Sequence, residues 1–283
     1  MTSPAPLRFA VAGNPIAHSR SPAIHTLFGQ QTGVPLTYTT LLAPLNDFQS
    51  AVRQFFDTGG KGLNVTVPFK EQAYQLAHDH LSERARIAGA VNTLWMESGA
   101  LHGCNTDGVG LLNDLRRLGH DPKGKRILLV GAGGAARGAC APLIDAGCVK
   151  LDIVNRTASR AQVLRDHVLS FRAQAADRIW AGGLEHAGGP YDIVINATSG
   201  SLNDQAPSLP NCIYVPNSLA YDMVYSREPT AFMRQATARG AGMSADGLGM
   251  LVGQAAESFR IWNDVMPDVE ATLHALRMQL SEG

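Results

Sequence analysis

Four kinds of residue in this chain have the chemistry for a reaction: a lysine, an aspartate, a set of hydroxyls and amides, and a glycine-rich turn. Lys70 closes the run Asn64 to Lys70, N-V-T-V-P-F-K. Val65 and Val67 alternate there with Asn64 and Thr66, a period of two that predicts a strand. Pro68 ends it, because proline lacks the N–H that a ladder needs. A helix through Gln72, Ala73 and Leu76 is expected to begin at Phe69–Lys70. Open α/β sheets keep their chemistry at such strand ends. Taken alone, the run is better explained as a polar strand edge with a solvated lysine; the rest of the chain changes the balance.

Ser19 and Ser21 lie in H-S-R-S-P, after an expected first strand at Leu7 to Ala12. Two hydroxyls beside a helix N-terminus could hold a carboxylate or a polyhydroxyl ligand. Ser21 also reads as an N-cap with Pro22 at the first helical position, and capping is the favoured account of it. Ser19 has no such account. Asn92 sits within the expected apolar strand Val91 to Trp95. A buried amide needs a partner, from the protein or from a ligand. Asp107, in N-T-D-G-V-G, is accounted for by a helix cap, and Gly108 and Gly110 by a domain hinge, and both accounts are compatible with a catalytic role. Gln254 lies beside the stripe Leu248, Leu251, Val252, Ala255, Phe259 and Trp262 of a long helix.

The clearest pattern is G-A-G-G-A-A, Gly131 to Ala136, directly after the strand Arg126 to Val130. In that context the motif presents backbone N–H groups and a helix N-terminus to a pyrophosphate. A second strand, Leu151 to Val154, follows at Rossmann spacing. An NAD site wants an acid at its end. Asn155, Arg156, Thr157 and Arg160 stand there instead, which suits the 2′-phosphate of NADP. Surface arginines placed by chance rank below that reading, because position and charge agree.

The elements that must position these residues are read more coarsely. Further strands are expected at Leu36 to Leu42, Leu101 to Asn105, Tyr191 to Asn196 and Leu219 to Tyr225. Helices are expected after Asp47, over Glu228 to Arg239, from Asp246 onward and over Val269 to Leu280. With 283 residues the chain suits two domains. The expected class is α/β: an N-terminal substrate domain with a mostly parallel sheet (residues 1–107 plus 246–283) and a Rossmann domain (108–245), meeting at a cleft. The C-terminal helices are expected to pack back on the first domain.

Lys+Arg and Asp+Glu are both 24, so no global field attracts nucleic acid or an anionic membrane. Cys104, Cys140, Cys148 and Cys212 are scattered, which argues against a metal site or a disulfide framework and fits a reducing, cytoplasmic setting. No apolar run reaches spanning length. No signal segment is read in the N-terminal M-T-S-P-A-P.

Together the motifs resemble the shikimate dehydrogenase family over nearly the whole length: G-N-P-I-A-H-S-R-S-P, G-G-K-G-L-N-V-T-V-P-F-K, A-G-A-V-N-T-L, N-T-D-G-V-G, V-G-A-G-G-A-A-R-G, N-R-T-A-S-R, I-N-A-T-S, Y-D-M-V-Y and A-D-G-L-G-M-L-V-G-Q-A-A. The resemblance implies NADPH-dependent, reversible reduction of 3-dehydroshikimate to shikimate, by a monomer or homodimer without a metal. It implies Lys70 and Asp107 as the catalytic pair and Ser19 and Ser21 on the substrate carboxylate. Asn64, Thr66, Asn92, Tyr225 and Gln254 would line the rest of the pocket. Gly131, Ala132, Gly133, Gly134 and Ala135 would cradle the pyrophosphate, with Asn155, Arg156, Thr157 and Arg160 at the adenosine end. Met223 and Gly247 would lie by the nicotinamide, and Glu83 is carried over as a further cofactor contact. The residue types agree. A ketone reduced by hydride needs a proton and a positive charge at its oxygen, and a lysine has both. An aspartate nearby would favour the charged amine.

The chain departs from the family pattern at Gly200, which follows N-A-T-S directly. Cys104 is read as a small buried strand residue rather than a pocket thiol. Two rivals are weighed. A quinate/shikimate dehydrogenase using NAD conflicts with Arg156 and Arg160. A ligand sensor without catalysis conflicts with the presence of both Lys70 and Asp107.

Overall fold

The computed structural model describes residues 5–282. Residues 1–4, which fall in the stretch read as free of a signal segment, lie outside the described residues. The chain divides into two compact units, one running up to Thr106 and resuming at Val252, the other spanning Asp107–Leu251.

The first unit contains β1 (Leu7–Gly13), α1 (Ser21–Thr32), β2 (Leu36–Leu42), α2 (Phe48–Asp57), β3 (Gly60–Val65), α3 (Lys70–Leu76), α4 (Glu83–Ala88), β4 (Thr93–Glu97) and β5 (Ala100–Cys104). Its sheet has the order β2-β1-β3-β4-β5. β1 is parallel to β2 and β3, while β4 is antiparallel to both of its neighbours. Four of the five strands therefore point the same way, and only β4 opposes them.

One face of this sheet packs on α2 and α3 through Phe48, Val52, Leu63, Val65, Phe69 and Ala73, with Phe48 and Phe69 stacked at 4.6 Å. The other face meets α1 through Phe9, Val11, Ile16 and Tyr38.

The second unit contains α5 (Asp107–Arg117), β6 (Arg126–Val130), α6 (Gly134–Asp145), β7 (Lys150–Val154), α7 (Ala158–Phe171), β8 (Ile179–Gly182), β9 (Ile193–Asn196), β10 (Leu219–Asp222), α8 (Ala231–Ala238) and β11 (Met243–Asp246). Its strands are all parallel in the order β11-β10-β9-β6-β7-β8. That is the doubly wound order of a dinucleotide-binding fold, with the switch point between β6 and β9. The four inner strands β10, β9, β6 and β7 are buried on both faces, hence their near-continuous apolar sequences.

α9 (Leu248–Asn263) begins in the second unit and continues in the first, and α10 (Val269–Glu282) belongs to the first. α10 is tied to α1 by Gln31, whose amide donates to Thr272 Oγ1 at 2.9 Å and accepts from the Asp268 N–H at 3.1 Å. α9 lays Trp262 on Phe9 at 4.9 Å, over Gly62, where any side chain would strike the indole.

Several expectations need correction. β3 ends at Val65, not Val67: Thr66 and Phe69 close a turn by a 3.0 Å backbone bond, and Val67 is 69% exposed. The alternation of valines continued past the last residue that the sheet could pair. Ser21 does not cap α1. Arg20 holds the cap position, Ser21 is the first helical residue, and its N–H donates to Ser19 Oγ at 3.3 Å. Asn92 precedes β4 rather than lying in it. β10 stops at Asp222, because its neighbour β9 has ended at Asn196. β8 and β11 were not read from the sequence; each has four residues, and β11 is only partly buried. Asp107 and residues 246–251 fall in the second unit. Gly247 abuts the Met223 backbone, Gly249 abuts the Asp114 carboxylate, and Met250 joins the core there.

Candidate active site

The first unit holds Ser19, Ser21, Asn64, Thr66, Lys70, Asn92 and Gln254; hydrogen bonds join Ser19 to Ser21, and Asn92 to Asn64 and Gln254. Thr66 follows β3 directly, with its N–H on the Ala12 carbonyl at 2.9 Å and its methyl against Gly13, which leaves no room for a side chain. Lys70 is the first residue of α3, and its carbonyl accepts the Val91 N–H at 2.9 Å. The lysine backbone is thereby fixed one residue from Asn92.

Asn92 is the centre of a buried polar network. Its Oδ1 accepts from the Thr106 N–H at 2.9 Å and from Thr93 Oγ1 at 2.8 Å. Its Nδ2 donates to Thr106 Oγ1 at 2.9 Å and to Gln254 Oε1 at 3.3 Å. Asn64 joins the network by donating from Nδ2 to the Asn92 carbonyl and to Ser258 Oγ, both at 3.0 Å. Asn64 Oδ1 accepts the Tyr38 hydroxyl at 2.7 Å. Burial pushes the Tyr38 phenol well above its ordinary pKa, with the Ser21 hydroxyl offsetting part of the rise. Tyr38 is therefore a neutral donor. The network is built entirely of neutral amides and hydroxyls, each with partners, as a buried polar cluster must be.

Sequence reasoning found Asn64, Asn92 and Gln254 and missed Tyr38, Thr93, Thr106 and Ser258. A signal was present: Asn-Thr occurs twice, at Asn92–Thr93 and Asn105–Thr106, and Ser258 stands four residues after Gln254. Four is the helical spacing that places both on one face, and Ser258 Oγ donates to the Gln254 carbonyl at 3.0 Å. Glu83 opens α4 and is exposed. An acid in the first turn is favourable there with or without a ligand.

The second unit holds Asp107 at the start of α5, buried, and Tyr225, half-buried, in the turn after β10. It also holds the glycine-rich turn. Gly131 adopts φ 116°, a conformation suited to glycine, and a Cβ there would lie 3.2 Å from Ala197 and Thr198. Gly133 and Gly134, by contrast, face open space. They lead into the 12-residue α6, which has no acid in its first turn. At the end of β7, Asn155 Nδ2 donates to the Thr157 carbonyl at 3.0 Å. Arg156 and Arg160 are exposed and have no carboxylate partner among the described residues. An open turn at a helix N-terminus, two guanidinium groups without a carboxylate partner among the described residues, and an amide rather than an acid directly after β7 are the features that fit a 2′-phosphorylated dinucleotide.

The sequence profile described as shikimate dehydrogenase substrate binding domain matches residues 11–94. The profile of shikimate/quinate 5-dehydrogenase matches 115–203, and that of the shikimate 5'-dehydrogenase C-terminal domain matches 247–277. A protein of Bordetella petrii named shikimate dehydrogenase (NADP(+)) is 60% identical over 98% of this chain and 97% of its own.

The chain belongs to the shikimate dehydrogenase family.

A family member of the same name from Bordetella avium is 58% identical over 99% of both chains. A shikimate 5-dehydrogenase crystal structure from Thermus thermophilus, in complex with NADP(H) and shikimate, has a TM-score of 0.84 at 33% identity, covering 97% of this chain and all of that one. In this family member no helix among the described residues is long and apolar enough to cross a membrane.

Proposed function

We propose that the protein catalyses the NADPH-dependent, reversible reduction of 3-dehydroshikimate to shikimate, on the route to aromatic amino acids. The observation that carries this reading is the placement of Lys70: it opens α3 with its carbonyl bound to Val91, beside a network of neutral amides and hydroxyls around Asn92. Neutral donors and acceptors suit a ring bearing several hydroxyls. Ser19 and Ser21, at the N-terminus of α1, take the ring carboxylate, where helix N–H groups favour negative charge. Thr66, Asn92, Tyr225 and Gln254 orient the hydroxyls, and Asn64 lines the pocket while holding Asn92 and Tyr38 in place.

NADPH supplies the hydride when bound. Gly131 to Ala135 bind its pyrophosphate, Asn155, Arg156, Thr157 and Arg160 its adenosine end, and Met223 and Gly247 line the nicotinamide side. As the carbonyl carbon is reduced, negative charge develops on its oxygen. The Lys70 ammonium stabilises that charge and delivers the proton. Asp107 completes the catalytic pair and holds a substrate hydroxyl. Glu83 remains a proposed cofactor contact. A cytoplasmic setting and a monomer or homodimer are part of the proposal; for the reducing compartment, support comes from four cysteines that are all free, three of them buried.

The test is turnover of Lys70→Met, with the fold checked by circular dichroism. Loss of a general acid costs roughly 10²–10⁴ in kcat. The Michaelis constant for shikimate should change far less. Adding Asp107→Asn should cost little beyond the worse single variant, because groups acting as a unit are not additive. Near-normal turnover in folded Lys70→Met would end this assignment. The matched profile named for shikimate and quinate makes quinate the second substrate to assay, with NADP and NAD each tried.

A further inference from the structure

The ends of β9 and β10 and the start of α8 are joined through one carboxylate that the proposed mechanism does not use. Asp222 is the last residue of β10 and is fully buried. Its Oδ2 accepts from Ser201 Oγ and from Thr230 Oγ1, both at 2.6 Å. Its Oδ1 accepts from the Val224 N–H at 3.1 Å and from Asn196 Nδ2 at 3.2 Å. Asn196 continues the chain of bonds: its Oδ1 accepts from Thr198 Oγ1 at 2.7 Å and from the Thr198 N–H at 3.2 Å.

All four donors to Asp222 are neutral. A buried carboxylate without a cation is expensive to desolvate, so a packing role alone would be better served by a neutral residue. What a carboxylate offers is acceptors only, in two directions. An asparagine in its place would turn an NH₂ group toward donors on one side.

Those directions lead to two backbones. On one side, Asn196, Thr198 and Ser201 belong to the loop that follows β9. That loop is the wall of the glycine-rich turn, since Ala197 and Thr198 stand 3.2 Å from where a Gly131 side chain would begin. On the other side, Val224 belongs to the turn after β10. Its neighbour Met223 donates its N–H to the Asn196 carbonyl at 2.9 Å and presses its own carbonyl against Gly247. Asp246 holds the far end of this turn, accepting the Ser226 N–H at 3.3 Å. The carboxylate thus fixes the spacing between the wall of the pyrophosphate turn and the backbone at Met223.

We propose that Asp222 is a positioning residue for the nicotinamide cofactor, acting by tying the loop after β9, through Ser201 and Asn196, to the end of β10. The inference rests on the reading that Gly131 to Ala135, Met223 and Gly247 hold that cofactor. Thr230 anchors the same carboxylate to α8, which it also caps by accepting the Met233 N–H at 3.2 Å. Ser201 is the tether on the loop itself.

Removing the tether separates positioning from folding. Ser201→Ala deletes one hydrogen bond to a charged group from a half-buried loop residue and leaves Asp222 three donors. NADPH affinity, measured by direct fluorescence titration of the full chain, should weaken roughly tenfold or more, the size of one such bond. The Michaelis constant for shikimate should stay at its wild-type value, while the melting temperature falls modestly with the lost bond. Ser201→Thr keeps the hydroxyl and should restore NADPH affinity. Asp222→Asn should weaken NADPH further, and any loss of fold there leaves the Ser201 pair decisive.

Arg156→Ala in parallel reports on the underlying cofactor reading. If it weakens NADPH while Ser201→Ala does not, the cofactor site stands and this inference is overturned. If neither changes NADPH affinity, both fall. A lower melting temperature for Ser201→Ala with unchanged NADPH affinity makes the contact purely structural and also overturns the proposal.

Discussion

Lowering the pH should destabilise the first unit through one side chain, His25. It lies on α1 and is completely buried. Its ring stacks on Tyr38 at 4.1 Å and meets the edge of Phe28 at 5.5 Å, with Trp262 at 5.6 Å and Phe259 at 6.1 Å. Asn64 draws its pKa up by a small amount, yet neither ring nitrogen meets hydrogen-bond geometry with a described residue. Burial dominates and lowers the pKa to about 3 from an ordinary 6.5. For a base with a depressed folded-state pKa, the unfolded chain takes up the proton first. Stability is therefore complete above pH 6.5, falls as the pH drops below it, and stops falling near pH 3.

Each pH unit within that window removes about 1.4 kcal/mol. Between pH 7 and pH 5 the loss from His25 is about 2 kcal/mol, and by pH 3 it reaches about 4 kcal/mol. His25→Phe keeps an aromatic ring in the stack and removes the titration. The assay is urea unfolding at pH 7 and pH 5 in a Trp180→Phe background, so that only Trp95 and Trp262 of the first unit report. The other histidines titrate alike in both proteins, and the difference between the two pH dependences isolates His25. The variant should lose about 2 kcal/mol less than its parent over that interval. Equal pH dependence in the two proteins would refute the reasoning, and would mean that the imidazole gains a partner or water that stabilises its charge.

Three further outcomes are expected. Arg156→Ala should weaken NADPH by roughly tenfold to a hundredfold, the loss of a charge-assisted bond of about 1.5–3 kcal/mol, and leave NADH almost unchanged; equal losses for both cofactors, by fluorescence titration, would show a structural arginine. Ser19→Ala should raise the Michaelis constant for shikimate and also lower the melting temperature, because Ser19 Oγ takes the Ser21 N–H at the start of α1, a contact comparable to an N-cap at about 1 kcal/mol. Unchanged thermal unfolding would show that contact to be idle. Gly249→Ala should push away the Asp114 carboxylate, which accepts from the Tyr221 hydroxyl at 2.6 Å and from Arg117 Nε at 2.7 Å; a loss of about 1–3 kcal/mol is expected, read as earlier melting of the second unit by Trp180 fluorescence.

The parts legible in the sequence are those where local chemistry leaves one solution. The strand, glycine turn and helix over Arg126 to Asp145 combine a buried run, a residue that needs positive φ and a helix start. Val130 enters the turn at Gly131 because few other residues tolerate φ 116° there. Arg156 and Arg160 could be placed at the cofactor end because the spacing from that turn to the next strand end is set by the Rossmann unit itself.

What stayed hidden depends on distance along the chain. The polar network around Asn92 joins residues from Tyr38 to Ser258, and no local spacing announces that a tyrosine on β2 meets an asparagine on β3. Ser19 and Ser21 show the same limit at short range. Both hydroxyls precede a helix, so propensity assigns the cap to the one beside Pro22. Which oxygen points at which N–H is decided by how the loop Asn14 to Ser19 leaves β1, and that loop is held from elsewhere: the Asn14 side chain donates to the Ala43 carbonyl at 2.9 Å and its N–H to the Val67 carbonyl at 3.1 Å. The turn after β3 therefore settles two things that looked unrelated. It leaves Val67 exposed because its carbonyl faces Asn14, and by anchoring that loop it contributes to placing Ser19, rather than Ser21, over the first free N–H of α1. A site made of loop ends is specified by such long-range anchors, and its residues can be named from sequence before the division of labour among them can.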